Sequence, residues 1–261
     1  MYEYYGPTVT LIIVIGAFTA FSVREVLIGR HSSARIQKQG SSPFLGHYPM
    51  EFAYWVLGPI GRLAAALKLS PNLFSWSCLI LGAASGVAAA LGRISLAGGL
   101  ALISASLDAL DGMVARSRGV ASDAGEVLDA AVDRYTEFFF LGGLCFHYRF
   151  EPWALALVLL ALLGSFMVSY SQAKGEAMSI DVPKGLMRRP ERALYLGGGA
   201  FLSPLVSSWF EWAHQPTLDY PLLFSILLVG IFGNATALHR FVFLYDALKE
   251  RHRLKSSQKI K

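Results

Sequence analysis

Seven apolar segments divide the chain, and each is long enough to cross a membrane as a helix. They cover residues 8–28, 73–92, 94–115, 126–147, 153–173, 193–212 and 221–245. A spanning helix needs about 20 predominantly apolar residues, which these segments supply. The second and third are joined by a very short turn at Gly92-Arg93. The pattern predicts an all-α integral membrane protein.

The polar segments between the helices predict how the chain is organised. Residues 31–72 begin as a polar linker and then alternate apolar clusters with Arg62 and Lys68, which is typical of a helix on the membrane surface or of an amphipathic packing helix. We expect a retained N-terminal transmembrane helix at 1–30, since no basic stretch precedes it and no A-x-A cleavage site follows it. A linker and juxtamembrane helix at 31–72, a six-helix membrane domain at 73–247 and a basic tail at 248–261 complete the expected order.

Composition and charge agree with a membrane location. Only 16% of the residues are charged, against about a quarter in soluble domains. Of the 23 Lys and Arg residues, 18 fall in the segments 30–72, 116–118, 174–192 and 249–261, which places these segments on the cytoplasmic side. The basic balance therefore predicts contact with anionic lipid headgroups and not with nucleic acid, for which no motif is present. Two cysteines within apolar runs indicate no disulfide framework.

Four aspartates lie close together in one of the most apolar parts of the chain. Asp108 and Asp111 share one face of a predicted helix, and Asp129 and Asp133 share a face of the next. The polar turn "RSRGVASD" between the helices predicts an antiparallel hairpin with all four carboxylates near its cytoplasmic end. Helix ends exposed to water are the alternative, but ionisable groups within membrane spans usually mark functional sites.

Clustered carboxylates repel one another unless cations neutralise them. The neighbouring ligands are hard oxygens without His or Cys, so Mg²⁺ or Mn²⁺ is the expected partner, and we expect two ions. Gly112 and Ala115 clear one helix face for a ligand, and Arg116 stands at the helix end, where it can pair with a phosphate. Together these residues predict a pyrophosphate site.

The spacing D108-x2-D111-G112-x2-A115-R116-x8-G125-x3-D129-x3-D133 resembles the signature of the CDP-alcohol phosphatidyltransferase family, with every defining position filled. The segment "LSPN" at 69–72 also resembles the start of the family's first core helix. The resemblance covers residues 50–247. It implies a core of six transmembrane helices, here with an extra N-terminal transmembrane helix, around a cavity open to the cytoplasm, in an enzyme that is usually a homodimer.

The resemblance also implies a reaction and assigns roles to residues. A phosphatidyl group passes from a CDP-linked lipid to an alcohol, and CMP is released. Carried over by position, the four aspartates bind the metal ions, and Asp133 is also the general base. The residues expected to line the CDP site are Gly112, Ala115, Arg116 and Gly125. No Ser or Cys nucleophile is marked, so we expect direct displacement.

The segment "SYSQAKGEAMSIDVPKGLMRRPERALYL" (residues 169–196) bears on the acceptor. It resembles the "SYxKARAE…ERPER" segment of the phosphatidylinositol-phosphate synthase branch, and Arg240 in "NATALHRFVF" of the last span matches a phosphate-binding Arg of that branch. The resemblance implies that Lys174, Arg192 and Arg240 hold the phosphate of inositol phosphate. Simple positive-inside loop charge is the alternative. The branch's first Lys is Gln172 here, so glycerol 3-phosphate, free inositol and serine stay open.

Two rival classes fit the aspartates less well. Intramembrane prenyltransferases also bind Mg²⁺-pyrophosphate with Asp-rich motifs, but on separate repeats and without the G-x2-A-R continuation. Cation transporters place carboxylates at the membrane midplane, between inverted repeats. The aspartates here lie near one predicted membrane face, and no inverted repeat is visible.

Overall fold

The computed structural model of the chain describes residues 5–29, 46–120, 122–210 and 219–259. Within these ranges the chain folds into eight α-helices. They are α1 (Tyr5–Ile28), α2 (Tyr48–Ala66), α3 (Pro71–Ala90), α4 (Ile94–Ser117), α5 (Asp123–His147), α6 (Pro152–Ala177), α7 (Arg189–Phe210) and α8 (Tyr220–Lys259).

Each predicted apolar segment coincides with one of these helices, which confirms the all-α membrane class. By length and composition, α1, α3, α4, α6 and α8 are able to cross a membrane. The other two predicted spans, α5 and α7, have 25 and 22 residues but carry charged side chains in their apolar sequences. The helix expected within 31–72 is α2; residues 31–45 of that segment lie outside the described residues, as do 211–212 of the sixth predicted span.

The last helix is longer than its apolar segment. The apolar pattern predicts a span that ends at 245 and a basic tail at 248–261, and α8 runs without a break through both segments to Lys259. Hydropathy falls where the sequence changes to "KERHRLKSSQK". The Lys, Glu, Arg, Leu and Gln residues of this segment are nevertheless good helix formers, so the helix continues. The end of the apolar run therefore marks a change of environment and not the end of the helix.

Helix α3 is the element that organises the site. It packs closely against both α4 and α5, whereas α4 and α5 make few contacts with each other although they are consecutive. Helix α7 packs against α4 and α8, and α6 packs against α8. The α4–α5 hairpin is therefore splayed around α3, which leaves room between its helices at the end where the aspartates lie.

Glycines allow α3 and α5 to approach each other closely. A Cβ atom added to Gly143 would lie 2.9 Å from the carbonyl carbon of Gly86 and still closer to its oxygen. The two backbones are therefore in direct contact, and no side chain fits between them. Buried apolar residues of the surrounding helices, including Leu141, Leu144 and Ala89, form the core around this crossing.

The N-terminal helix α1 lies at the edge of the bundle, against α2 and α7. Its contact with α2 is a cluster of aromatic rings in which Phe18 and Phe21 each approach Tyr48 and Phe52 with centroid separations of 5.2–5.8 Å. Most of the other apolar side chains of α1 are exposed, as expected for a helix surrounded by lipid.

Candidate active site

The hairpin that carries the aspartates is built from α4, a short turn and α5. Gly119 in the turn adopts a φ of +66°, a left-handed conformation that glycine adopts without a steric cost. Ser122 caps α5, because its Oγ accepts a hydrogen bond from the backbone N–H of Gly125 at 3.2 Å. These local features bring the end of α4 and the start of α5 to the same side of the protein.

Three of the four predicted carboxylates converge. One oxygen from each of Asp108, Asp111 and Asp129 lies within 4.8 Å of the others. Asp111 is buried, and the Ser75 hydroxyl on α3 donates a hydrogen bond to its Oδ2 at 3.1 Å. Three carboxylates held this close in an apolar environment favour a divalent cation with oxygen ligands. The residues present therefore fit a divalent metal ion.

The fourth aspartate has a different partner. Asp133 is 8% exposed and forms an ion pair with Arg189, the first residue of α7. The same guanidinium binds Asp108, with Nη1 at 2.7 Å from Oδ2 and Nη2 at 2.9 Å from Oδ1. Arg189 therefore joins α4, α5 and α7 through their charged side chains.

A cleft of about 620 Å³ opens beside the three converging carboxylates. All four residues predicted to contact CDP line it, together with Asp111 and Asp129; they are Gly112, Ala115, Arg116 and Gly125. A Cβ atom at Gly112 would lie 3.0 Å from Nη1 of Arg116, so the missing side chain gives the Arg116 guanidinium its place over α4. Carboxylates and an arginine therefore border the same cleft.

A smaller cavity of about 60 Å³ lies between α3, α4, α5 and α7. Asp133, Glu137 and Arg189 line it with small side chains such as Ser104 and Ala105. Asp133 does not line the larger cleft. The fourth aspartate therefore faces α7, while Asp111 and Asp129 face the cleft.

Two of the three residues predicted to hold an acceptor phosphate are buried near one another. Arg192 is 1% exposed and binds Glu137 through Nε at 2.6 Å and Nη2 at 3.0 Å. Arg240 is 5% exposed and donates to the carbonyl oxygens of Pro183 at 3.0 Å and Val168 at 3.2 Å. Lys174, the third, is exposed near the end of α6.

Sequence reasoning missed several residues that complete this arrangement. Arg189 was counted only as loop charge, although its position directly before Pro190 marks the first turn of a membrane helix. Glu137 lies four residues after Asp133, and that spacing predicts that the two carboxylates share one face of α5. Ser75 gave no signal, because a serine in an apolar helix usually bonds to its own backbone.

The fold and this site together define a membrane enzyme that acts on a phosphate-bearing substrate. The sequence profile of CDP-alcohol phosphatidyltransferases matches residues 68–219. The chain belongs to the CDP-alcohol phosphatidyltransferase family and is an enzyme of that class. This membership decides against the prenyltransferase and transporter alternatives.

Individual relatives make the similarity more specific. The chain is 32% identical over 157 residues to the phosphatidylinositol phosphate synthase of Corynebacterium glutamicum, covering 58% of this chain and 71% of the relative. It is 29% identical over 192 residues to the archaetidylinositol phosphate synthase of Methanothermobacter thermautotrophicus, covering 73% of this chain and 90% of the relative.

Solved structures show the same fold. The phosphatidylinositol phosphate synthase of Mycobacterium tuberculosis in complex with manganese and citrate superimposes with a TM-score of 0.61, over 72% of this chain and 88% of that one, at 24% identity. The same enzyme with CDP-DAG bound gives a TM-score of 0.59, over 70% of this chain and 90% of that one. About 70% of the chain therefore shares its fold with these solved structures.

Proposed function

We propose that this enzyme transfers a phosphatidyl group from CDP-diacylglycerol to inositol phosphate and releases CMP. The observation that carries the proposal is the division of the four aspartates, with three converging beside the cleft and Asp133 paired with Arg189. Relatives named phosphatidylinositol phosphate synthase and archaetidylinositol phosphate synthase support the acceptor. The mycobacterial structure with CDP-DAG supports the lipid donor.

The donor would bind in the larger cleft. Gly112, Ala115 and Gly125 expose backbone to the cytidine and its pyrophosphate, and Arg116 pairs with a phosphate oxygen. Asp108, Asp111, Asp129 and Asp133 would hold two divalent ions, Mg²⁺ or Mn²⁺. When bound, such ions offset negative charge on the pyrophosphate and on the departing CMP oxygen.

Asp133 would act as the general base. As a carboxylate it would accept the proton, and the Arg189 guanidinium lies in ion-pair contact with it. The acceptor hydroxyl oxygen forms a bond to the lipid-side phosphorus, and its proton passes to Asp133. The bond from that phosphorus to the bridging oxygen breaks, and CMP leaves with the electron pair. The phosphatidyl group is thereby displaced directly, with no covalent enzyme intermediate.

The acceptor phosphate would bind to Lys174, Arg192 and Arg240. A phosphate close to Arg192 and Arg240 places the hydroxyl of the acceptor on the side of α5 that carries Asp133 and Glu137. Buried guanidinium groups suit this task, because they stay charged and bind phosphate oxygens in pairs.

Glycerol 3-phosphate is the competing acceptor, and a specific residue favours it. Gln172 stands where the phosphatidylinositol-phosphate synthase branch has a Lys, and its amide donates to Glu176 at 2.8 Å on the surface of α6. The chain therefore lacks one cation of the branch at this position. Free inositol carries no anion and serine only a carboxylate, so neither would supply the phosphate that the buried arginines are proposed to bind.

The proposal also covers topology and assembly. The distribution of the basic segments supports a cleft that would open at the cytoplasmic face of the membrane. Residues 73–247 would form the catalytic domain of each subunit in a homodimer, with the N-terminal helix at 1–30 outside that domain and the basic residues of 248–261 in the cytoplasm.

A panel of acceptors tests the choice of alcohol. Purified protein in lipid nanodiscs receives CDP-diacylglycerol, Mn²⁺ and one radiolabelled acceptor: inositol 1-phosphate, glycerol 3-phosphate, inositol or serine. We expect label in the lipid fraction, with an equal amount of CMP, for inositol 1-phosphate. Label from glycerol 3-phosphate alone would replace inositol phosphate as the acceptor, and label from inositol or serine alone would contradict the role of the arginines.

A further inference from the structure

The loop between α6 and α7 is fixed in place by contacts with α8. The Arg251 guanidinium donates to the carbonyl oxygens of Met178 and Ser179 at 3.0 and 3.3 Å, where α6 ends. Further along, Arg240 donates to Pro183. The Thr236 hydroxyl accepts from the backbone N–H of Leu186 at 3.2 Å. The loop therefore approaches α7 along a defined path, and the residues at its end have fixed positions.

Gly185 brings the loop directly onto α8. A Cβ atom at this position would overlap the methyl group of Thr236, so only glycine allows the observed approach. Three residues later the chain starts α7, and the backbone N–H of Arg188 donates to the Glu191 carboxylate. Contacts before and after Arg188 thus fix its backbone, and with it the position of its Cβ atom.

Among the described residues, one buried nitrogen of the Arg188 guanidinium, Nη2, has no hydrogen-bond partner. A buried donor without an acceptor lowers stability, and an arginine is seldom placed so without a reason. An anion that binds here would supply the missing acceptor.

Positive charge collects around this atom. The charges of Arg188 and Arg192 both act on Arg240, so the three guanidinium groups lie within range of direct electrostatic interaction. Glu137 neutralises Arg192, whereas the two hydrogen bonds of Arg240 go to uncharged carbonyl oxygens. The buried Glu191 carboxylate also lies beside Arg188, so Glu137 and Glu191 together offset only part of the positive charge of Arg188, Arg192 and Arg240, which favours an anion.

The resemblance to the phosphatidylinositol-phosphate synthase branch implies that a cation has changed position. Aligned on the shared letters "RPER", the residue before them is Glu in the "ERPER" segment of the phosphatidylinositol-phosphate synthase branch and Arg188 here. In the same segment Gln172 stands where that branch has a Lys. One cation is absent at the end of α6, and one is gained at the start of α7.

We infer that Arg188 is a phosphate-binding residue for the acceptor and takes over the charge that is missing at Gln172. The inference rests on the proposed function, because it needs an acceptor with a phosphate group. The ligand is a phosphate monoester dianion. Arg188 binds its oxygens together with Arg240 and with Arg192, which Glu137 holds in position.

Steady-state kinetics with Arg188→Gln test the inference. We expect the KM for inositol 1-phosphate to rise by about 10- to 100-fold, the range for losing a hydrogen bond to a charged group. The KM for CDP-diacylglycerol stays the same, because the residue does not line the larger cleft. Inorganic phosphate is tested as a competitive inhibitor against the acceptor, and its inhibition constant should rise by a similar factor.

Two further variants serve as controls. Lys184→Gln removes an exposed cation from the same loop. It should leave both KM values and the inhibition constant of inorganic phosphate unchanged. The double variant Gln172→Lys, Arg188→Glu restores the charges of the branch and should bring the KM for the acceptor back to within a few-fold of the wild type. This double variant also supplies the test if the single substitution fails to fold.

The outcomes separate this inference from the proposed function. If the wild type uses inositol 1-phosphate and Arg188→Gln leaves its KM unchanged, the role of Arg188 is wrong and the proposed function stands. If the wild type uses glycerol 3-phosphate instead, the same comparison made with that acceptor decides the role of Arg188. If only alcohols without phosphate are used, the proposed function fails and the inference fails with it.

Discussion

Arg189 binds both carboxylate oxygens of Asp108, Nη1 to Oδ2 at 2.7 Å and Nη2 to Oδ1 at 2.9 Å. A two-pronged contact of this kind is among the strongest that arginine makes with a carboxylate. Asp108 is also one of the three aspartates whose oxygens converge within 4.8 Å. The guanidinium and a divalent ion therefore compete for the same oxygens, and Arg189 partly neutralises the aspartates when no ion is bound.

Replacing Arg189 by Gln should strengthen metal binding in the absence of substrate. Removing the guanidinium frees Asp108 and Asp133, so we expect the Kd for Mn²⁺ to fall by about tenfold, which corresponds to about 1.4 kcal/mol. The free Mn²⁺ signal in electron paramagnetic resonance measures it directly. Arg149→Gln, an exposed arginine in the turn before α6, is the control and should not change the Kd. Equal or weaker binding in Arg189→Gln would show that the arginine does not compete with the ion.

Replacing Asp133 by Asn should abolish turnover while CDP-lipid binding is largely retained. An amide does not accept the proton of the acceptor hydroxyl, and loss of a general base costs about 10²- to 10⁴-fold in rate. CMP release gives the rate, and protection against thermal unfolding by CDP-diacylglycerol gives the binding. Asp246→Asn, on the exposed part of α8, is the matched control. Activity near the wild-type level in Asp133→Asn would exclude this residue as the base.

Replacing Ser75 by Ala should weaken the metal site moderately. The Ser75 hydroxyl donates to Oδ2 of Asp111 and orients that carboxylate, and a buried hydrogen bond to a charged group contributes about 1.5–3 kcal/mol. We expect about ten times more Mn²⁺ to be needed for half-maximal activity. Ser77→Ala, on the same helix, removes a hydroxyl that bonds only to the Leu73 carbonyl and should have no such effect. Identical Mn²⁺ requirements in the two variants would mean that Ser75 does not position Asp111.

Replacing Gly143 by Ala should destabilise the helix bundle. The added methyl group collides with the backbone of Gly86, and overpacking of a core typically costs about 1–3 kcal/mol. Gly142→Ala is a close control, because the nearest atom to a Cβ at that position is 3.9 Å away. The Tm in detergent should fall for Gly143→Ala and change little for Gly142→Ala. A common shift in both variants would indicate a general effect of alanine in α5 and not a contact with α3.

Local sequence was sufficient to predict the helices and the aspartate hairpin. Apolar runs of about 20 residues predict spans, and spacings of three and four residues place carboxylates on one helix face. The convergence of Asp108, Asp111 and Asp129 follows from those spacings and from a short turn. These features depend on neighbours within about 25 residues in the chain, where helical geometry determines the positions of the side chains.

The division between the aspartates was not predictable in the same way. The guanidinium that pairs with Asp133 comes from Arg189, far away in sequence, and reaches it only because α7 packs against α4. The pairing of Arg192 with Glu137 depends on the same packing, as does the position of Arg188. The sequence pattern showed that basic residues cluster at 174–192 but did not indicate which of them point inward. Loop contacts with Thr236, Arg240 and Arg251 determine that, and no local spacing encodes them.

The most direct test of the account measures CMP release under four conditions that differ in one component each. Purified protein with CDP-diacylglycerol is assayed with inositol 1-phosphate and Mn²⁺, without the acceptor, without Mn²⁺, and with both components but with Asp133→Asn. We predict CMP and phosphatidylinositol phosphate in equal amounts in the first reaction only. CMP release without an acceptor, or equal rates with and without the divalent ion, would contradict metal-assisted direct transfer.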